Sequence, residues 1–162
     1  MKIVIPMAGF GTRLRPHTWS KPKPLVSTAG KPVLGHVLDM FAGLPDVDEL
    51  IAIVGYLGDQ IEAYITEAYP QWEARFVTQD EMLGQSHAIW LAREGLKGPM
   101  VLAFVDTIID ADLSVLEGET ADAVAWVKEV EDPRRFGVAE LDENGHVTKL
   151  IEKPSDLSNN LA

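Results

Sequence analysis

Apolar residues fall along this chain in two alternating patterns, short continuous runs and helical spacings. Residues 2–7 form an apolar run that stops at glycines and predicts a strand. Pro32 sets the first turn of a helix running to about residue 44, with Val33, Val37, Met40 and Phe41 on one face. Glu49–Val54 reads as the next strand, closed by Gly55. A helix over Gly58–Ala68 follows, turning Ile61, Tyr64, Ile65 and Ala68 inward. A brief strand at 75–77, a helix at 84–94 and a buried strand at 100–105, ending at Asp106, continue the alternation. Strands are predicted at 123–130, Gly137–Leu141 and Val147–Glu152, with Asn144-Gly145 turning a hairpin between the last two. The order βαβαβαβ followed by a strand-rich end predicts an α/β fold, a Rossmann-like, mostly parallel sheet with helices on both faces. It is read as a single domain over 1–162.

Between the first strand and the first helix, residues 8–31 carry Gly, Pro, Ser and Thr throughout and read as a long loop. Phe10, Leu14, Trp19, Leu25 and Val26 inside it favour an ordered loop. Charge changes the picture most here. The chain has a formal charge of −11, yet its first 38 positions hold six of the 14 basic residues and none of the 25 acids. Those six are Lys2, Arg13, Arg15, Lys21, Lys23 and Lys31, and among them lies Gly9-Phe10-Gly11-Thr12-Arg13-Leu14-Arg15-Pro16. Glycine lets backbone N–H groups approach phosphate oxygens, and Arg and Lys neutralise them, so the segment has the makings of a polyphosphate site. In parallel sheets ligands bind beyond the carboxyl ends of the strands, where the glycine loop, Gln79 and Asp106 all fall.

Other classes are excluded more simply. No stretch approaches the ~18–20 apolar residues of a membrane span, and the opening apolar run is too short for a signal peptide. The absence of cysteine removes disulfides, thiolate metal sites and Cys nucleophiles and agrees with a cytoplasmic chain. A pI near 4.7 argues against a nucleic-acid partner, whereas a small anion needs only a local basic face. A dinucleotide fingerprint fails because Leu14 stands where its third glycine belongs and no ribose-binding acid occurs before Asp39. The P-loop pattern fails because no Gly-Lys-Ser/Thr follows.

What remains is Gly-x-Gly-Thr-Arg-Leu, then Pro22-Lys23-Pro24-Leu25, and here the chain resembles the sugar-1-phosphate nucleotidylyltransferases, or nucleotide-sugar pyrophosphorylases. Gly30-Lys31-Pro32-Val33-Leu34 and Val54-Gly55-Tyr56-Leu57-Gly58-Asp59-Gln60-Ile61 are similar to further segments of that family. So are Gln79-x4-Gly84-Gln85-Ser86-His87-Ala88, Asp132-Pro133-x2-Phe136-Gly137-Val138 and Glu152-Lys153-Pro154. The ordered set covers nearly the whole chain, and it looks most like the glucose-1-phosphate thymidylyl- and uridylyltransferases.

The resemblance implies the nucleotide-diphospho-sugar transferase fold and transfer of a nucleotidyl group from an NTP to a hexose 1-phosphate, with dTTP or UTP and glucose 1-phosphate favoured. It implies that the backbone of Ala8, Gly9, Gly11 and Thr12 wraps the base and triphosphate, and that Arg13 clamps the β- and γ-phosphates. Lys23 is implied at the α-phosphate, Gln79 and Gly84 at the base edge, and Asp106 on Mg²⁺. Gly137 and Glu152 are implied at the sugar and Lys153 at its 1-phosphate. Mannose-1-phosphate guanylyltransfer is a lesser option, and a nucleotide or NDP-sugar binding module without turnover is the competing reading.

Two departures from the family pattern stand out. Val105 replaces the usual glycine before Asp106, and the family continues past Glu-Lys-Pro to a second metal-binding aspartate, so this chain is expected to be a C-terminally shortened form. Exposed apolar surface near its C-terminus, and self-association through it into a homo-oligomer, are expected in consequence. His87 is read as packed or exposed rather than catalytic. Trp19, Trp72, Trp90 and Trp126 are read as core or half-buried, and Glu117, Glu119, Asp122, Glu129, Glu131 and Asp132 as a solvated acidic face.

Overall fold

Lys2–Pro6 is a strand (β1) with Ile3, Val4 and Ile5 buried, as the first apolar run predicts. In this computed structural model, which describes residues 1–44, 46–116 and 118–162, the chain forms two compact units, Met1–Leu116 and Glu117–Ala162. Glu117 itself lies outside the described residues. From β1 the first unit runs through a short hairpin, Ser27–Thr28 (β2) and Lys31–Pro32 (β3), into helix α1 (Val33–Asp39) and strand β4 (Glu49–Val54). Helix α2 (Gly58–Ala68), strand β5 (Glu73–Thr78), helix α3 (Gln85–Leu91) and strand β6 (Met100–Leu102) complete it.

The four long-range strands form one sheet in the order β5-β4-β1-β6, every pair parallel. The chain lays β4 and β5 down on one side of β1, then returns to the other side for β6. Strand order therefore reverses between β1 and β6, and the crevice at their carboxyl ends is where such sheets bind ligands.

Burial on both faces explains the continuous apolar runs. Ile3, Ile5, Leu50, Ala52 and Val54 pack with Leu34, Val37 and Leu38 of α1 and with Ile61 and Ile65 of α2. Val4, Ile51 and Ile53 face the other way, onto Ala88 and Ala92. Each of the Ile, Leu and Val side chains among them, fully buried, contributes about 1.5–3 kcal/mol. At the opposite edge from the crevice, Glu49 is 7% exposed and joins three strands. It accepts from Arg75 on β5 and pairs with Lys2 of β1 at 3.2 Å. Burial pushes the Glu49 carboxyl up, and the hydrogen bonds from Arg75 and Lys2 outweigh it, leaving the group below its ordinary value.

The structure differs from the sequence expectations at several boundaries. The loop at 8–31 contains the β2–β3 hairpin and two single 3-10 turns, Thr12–Leu14 and Lys23–Leu25. Helix α1 stops at Asp39, where Lys31 reaches its carboxylate, and the chain continues in turns. Strand β5 is longer than read and β6 shorter. Three of the four tryptophans (Trp19, Trp90 and Trp126) are exposed rather than core, while Trp72 is half-buried and stacks on Tyr69.

In the second unit the predicted hairpin forms from Gly137–Leu141 (β7) and Val147–Glu152 (β8), antiparallel. Asp142 organises its turn by accepting from the N–H groups of Asn144 and His146, both at 2.9 Å. The strand read at 123–130 is absent as such. Only its end pairs, through a bridge between Glu129 and Leu161 and backbone bonds from Lys128 and Val130 to the last three residues. Phe136, Val147, Leu150 and Leu157 are exposed, as the sequence led us to expect of this end of the chain. Among the described residues no helix is long and apolar enough to cross a membrane.

Candidate active site

A cleft of about 510 Å³ opens at the carboxyl ends of β1 and β6. The segments that line it come from four places in the sequence. The segment after β1 is the longest. Met7 and Ala8 are buried, and the Ala8 carbonyl accepts from the Tyr56 N–H at 3.3 Å. Gly11 is left-handed (φ 61°), and a Cβ there would stand 3.0 Å from the Lys23 Cβ and 3.1 Å from Thr18. Glycine thus allows both the turn and the close approach of the two basic segments. The hydroxyl of fully buried Thr18 donates to the Gly11 carbonyl at 2.8 Å.

Two side chains, one from the turn before α2 and one from its first turn, secure the same loop from outside. The Tyr56 hydroxyl donates to the Trp19 carbonyl at 2.7 Å, and the Gln60 amide donates to the Ser20 carbonyl at 3.1 Å. Phe10 rests on the Tyr56 ring with centroids 5.4 Å apart. Thr18, Tyr56 and Gln60 were not singled out from the sequence. The signal for the latter two was present in the Val54–Ile61 motif, whose matching residues include both.

Lys23 is placed by its neighbours. It starts a 3-10 turn whose next residues, Pro24 and Leu25, are buried, Leu25 among the core residues of α1. Asp106 follows β6 across Val105, which is 7% exposed and belongs to the same core cluster. Val105 also lines the cleft, so this departure from the family pattern anchors the loop while shaping its wall. The Lys23 ammonium meets the Asp106 carboxylate at 2.5 Å. That hydrogen bond, with burial opposing it and the charges of Lys23 and Arg13 adding to it, holds the Asp106 carboxyl below its usual range. Arg13 lines the cleft and, among the described residues, has no carboxylate within ion-pair distance. The residue is exposed, and none of its five side-chain donors makes a hydrogen bond among the described residues, which leaves them free for an anion.

The base-reading candidates lie on the other wall. The Gln79 N–H donates to the Val54 carbonyl at 2.8 Å, continuing the β4–β5 ladder, and the residue is 4% exposed. Its side-chain nitrogen lies 3.1 Å from the Gly84 carbonyl and 3.1 Å from Nδ1 of His87. Gly55 makes the convergence of these loops possible. A Cβ there would come within 2.8 Å of the Ala8 carbonyl and 3.0 Å of the Gln79 carbonyl.

The cleft thus gathers Ala8, Gly9, Gly11, Thr12, Arg13, Lys23, Gln79, Gly84 and Asp106. Gly137, Glu152 and Lys153 belong to the second unit, where one end of the hairpin holds all three. Gly137 pairs with Glu152 in register, and Lys153 donates its N–H to the Phe136 carbonyl at 2.8 Å. Strand alternation would send the side chains of Glu152 and Lys153 to opposite faces. The left-handed backbone at Lys153 (φ 48°) breaks that alternation, and the two charges meet at 3.3 Å.

The donor set at Asp106 suits a hard divalent cation, which takes carboxylate oxygen and completes its shell from phosphates and water. Lys23 supplies a positive charge on that carboxylate in this structure. Among the described residues no group of three carboxylate or imidazole side chains gathers to form a metal cage.

Comparisons with known proteins agree with this fold. The family model described as nucleotidyl transferase matches residues 2–162. The bifunctional protein GlmU of Methanococcus vannielii is 33% identical over 156 residues, covering 96% of this chain and 36% of that protein. UTP–glucose-1-phosphate uridylyltransferase AglF of Haloferax volcanii is 33% identical over 167 residues, covering 99% of this chain and 68% of the other. The crystal structure of a UDP-glucose pyrophosphorylase complexed with UDP-glucose superposes with a TM-score of 0.80 at 25% identity, over 99% of this chain and 72% of that one. The chain therefore spans 36% of the length of the first of these relatives and 68% of the second.

Proposed function

The chain belongs to the nucleotidyl transferase family, and on that premise we propose that it transfers a nucleotidyl group from an NTP to a sugar 1-phosphate, releasing pyrophosphate. The observation that carries the reading is the meeting of Arg13, Lys23 and Asp106 around one cleft at the strand-order reversal. UTP or dTTP and glucose 1-phosphate are the favoured pair, supported by the activity for which AglF is named and by the UDP-glucose ligand of the structural neighbour. The reading implies a cytoplasmic reaction, since nucleoside triphosphates are held there.

An oxygen of the sugar 1-phosphate attacks the α-phosphorus in line, the new P–O bond forms, and the bond to the β-phosphate oxygen breaks. Pyrophosphate leaves with the electron pair. The protein's task is to align two anions and mask their repulsion. Arg13 offers a planar fork to the β- and γ-phosphates, where negative charge accumulates as the bond breaks. Lys23 moves from Asp106 to the α-phosphate, exchanging one anionic partner for another. Its charge is then worth most as charge develops in the transition state. Asp106 is the residue that would hold Mg²⁺, which would supply further charge neutralisation on the phosphates. The resemblance makes Gly137 and Glu152 candidates for the sugar and Lys153 a candidate for its phosphate, all three on the second unit.

Pyrophosphate release with Mg²⁺, across the common NTPs and with glucose and mannose 1-phosphates, tests the proposal. Turnover with UTP or dTTP and glucose 1-phosphate supports it. Nucleotide binding without turnover under any pair would favour a binding module instead.

A further inference from the structure

We infer that His87 determines which base the cleft accepts, by holding Gln79 with its amide oxygen toward the ligand. This inference rests on the nucleotide reading above. Its starting point is hydrogen-bond capacity. The Gly84 carbonyl can only accept, so the Gln79 atom 3.1 Å away is the amide nitrogen, however the two ends of the amide are assigned. That same nitrogen is 3.1 Å from His87 Nδ1. An amide nitrogen has no lone pair to offer, so Nδ1 is the acceptor and the imidazole proton sits on Nε2. Both amide hydrogens of Gln79 are then engaged inside the protein.

Only the oxygen is left. It has no hydrogen-bond partner among the described residues, and no fully buried side-chain nitrogen or oxygen among them lacks one. The oxygen is therefore open, on a residue that lines the cleft. His87 is itself held in place. Its ring lies near-parallel to the Trp90 indole (centroids 6.4 Å apart, 16° between planes), and the Arg93 guanidinium covers that indole at 3.9 Å. Residues 87, 90 and 93 are spaced to share one side of α3 and the turn that follows it. This column also accounts for the exposed Trp90.

An acceptor fixed toward the base pairs with the N3–H of uracil or thymine and opposes the N3 lone pair of cytosine. Without the imidazole acceptor the second amide hydrogen loses its partner, and the amide is free to turn and offer N–H instead. His87 is thus a positioning residue for base selection and does not touch the phosphates.

The test is calorimetric titration of UTP, dTTP, CTP and inorganic tripolyphosphate into the wild-type chain, His87→Leu and His87→Asn. The wild type is expected to prefer UTP and dTTP over CTP by about tenfold or more, the factor one donor–acceptor mismatch brings. His87→Leu should lose most of that ratio with tripolyphosphate affinity unchanged. His87→Asn, whose Oδ1 restores an acceptor near the Nδ1 position, should keep most of it. A wild-type ratio in His87→Leu overturns the inference, as does equal loss in His87→Asn, because the acceptor would then not be what matters. Wild-type protein that binds all three nucleotides alike overturns the inference and leaves the nucleotide site standing. Wild-type protein that binds no nucleotide overturns both.

Discussion

Arg13 is the residue whose proposed role is most specific. It sits in the cleft without an acidic partner among the described residues, and a triphosphate offers it oxygens that an NDP-sugar lacks. Charge-assisted hydrogen bonds contribute about 1.5–3 kcal/mol each. Arg13→Ala is therefore expected to weaken NTP binding roughly ten- to hundred-fold while changing NDP-sugar affinity far less, measured by titration of both ligands. Equal loss for the two would remove Arg13 from the β- and γ-phosphates. Lys23 differs because it already has a partner in Asp106. Leaving one of these groups without the other costs the cleft its charge balance, so Lys23→Ala should depress turnover more than it depresses nucleotide affinity. The measurement is the split between kcat and KM.

The elements matter through where they end. Gly55 lies where β4 leaves the sheet, with the Ala8 and Gln79 carbonyls too close for a side chain. Gly55→Ala should destabilise the fold by about 1–3 kcal/mol in chemical denaturation and loosen nucleotide binding as well, since the two cleft walls must part. At the far edge Glu49 ties β1, β4 and β5 together. Its folded carboxyl lies below the ordinary value of 4.5, so its contribution is fully present above that value and is lost as pH falls through the folded value. Glu49→Gln should lower stability by about 1–3 kcal/mol at neutral pH and flatten the loss of stability below pH 4.5. An unchanged acid profile would contradict this account of Glu49. The elements legible in the sequence were those with long-range packing on a repeating pattern. Strand β4 and helix α2 have the predicted bounds because both faces of one and the inner face of the other are apolar. Helix α1 and the segment at 123–130 were over-read because apolar spacing continues past the point where turns or the chain end capture the backbone. In the site, Arg13, Lys23, Gln79 and Asp106 were legible from motif and position. The roles of His87, Thr18 and Tyr56 were not, although Tyr56 and His87 stand inside matching motifs, because those roles are hydrogen bonds to groups distant in sequence or on a neighbouring turn.

At the scale of the whole chain, a molecule of charge −11 offers an anion one segment of reversed sign, and the sheet order puts that segment beside β6 and Asp106. The second unit, by contrast, leaves Phe136, Val147, Leu150 and Leu157 in solvent. An apolar dye should bind the purified chain, and its apparent mass should rise with concentration; a dye-silent monomer would show that these side chains form no adhesive surface. Hydrogen–deuterium exchange with and without Mg²⁺ and UTP tests most directly whether the cleft at the ends of β1 and β6 is the nucleotide site. Slowed exchange at residues 8–14, 23–26, 79–88 and 104–107 is the result expected, with the far edge around Glu49 unchanged. Tight UTP binding with protection elsewhere, and none in these four segments, would contradict the account.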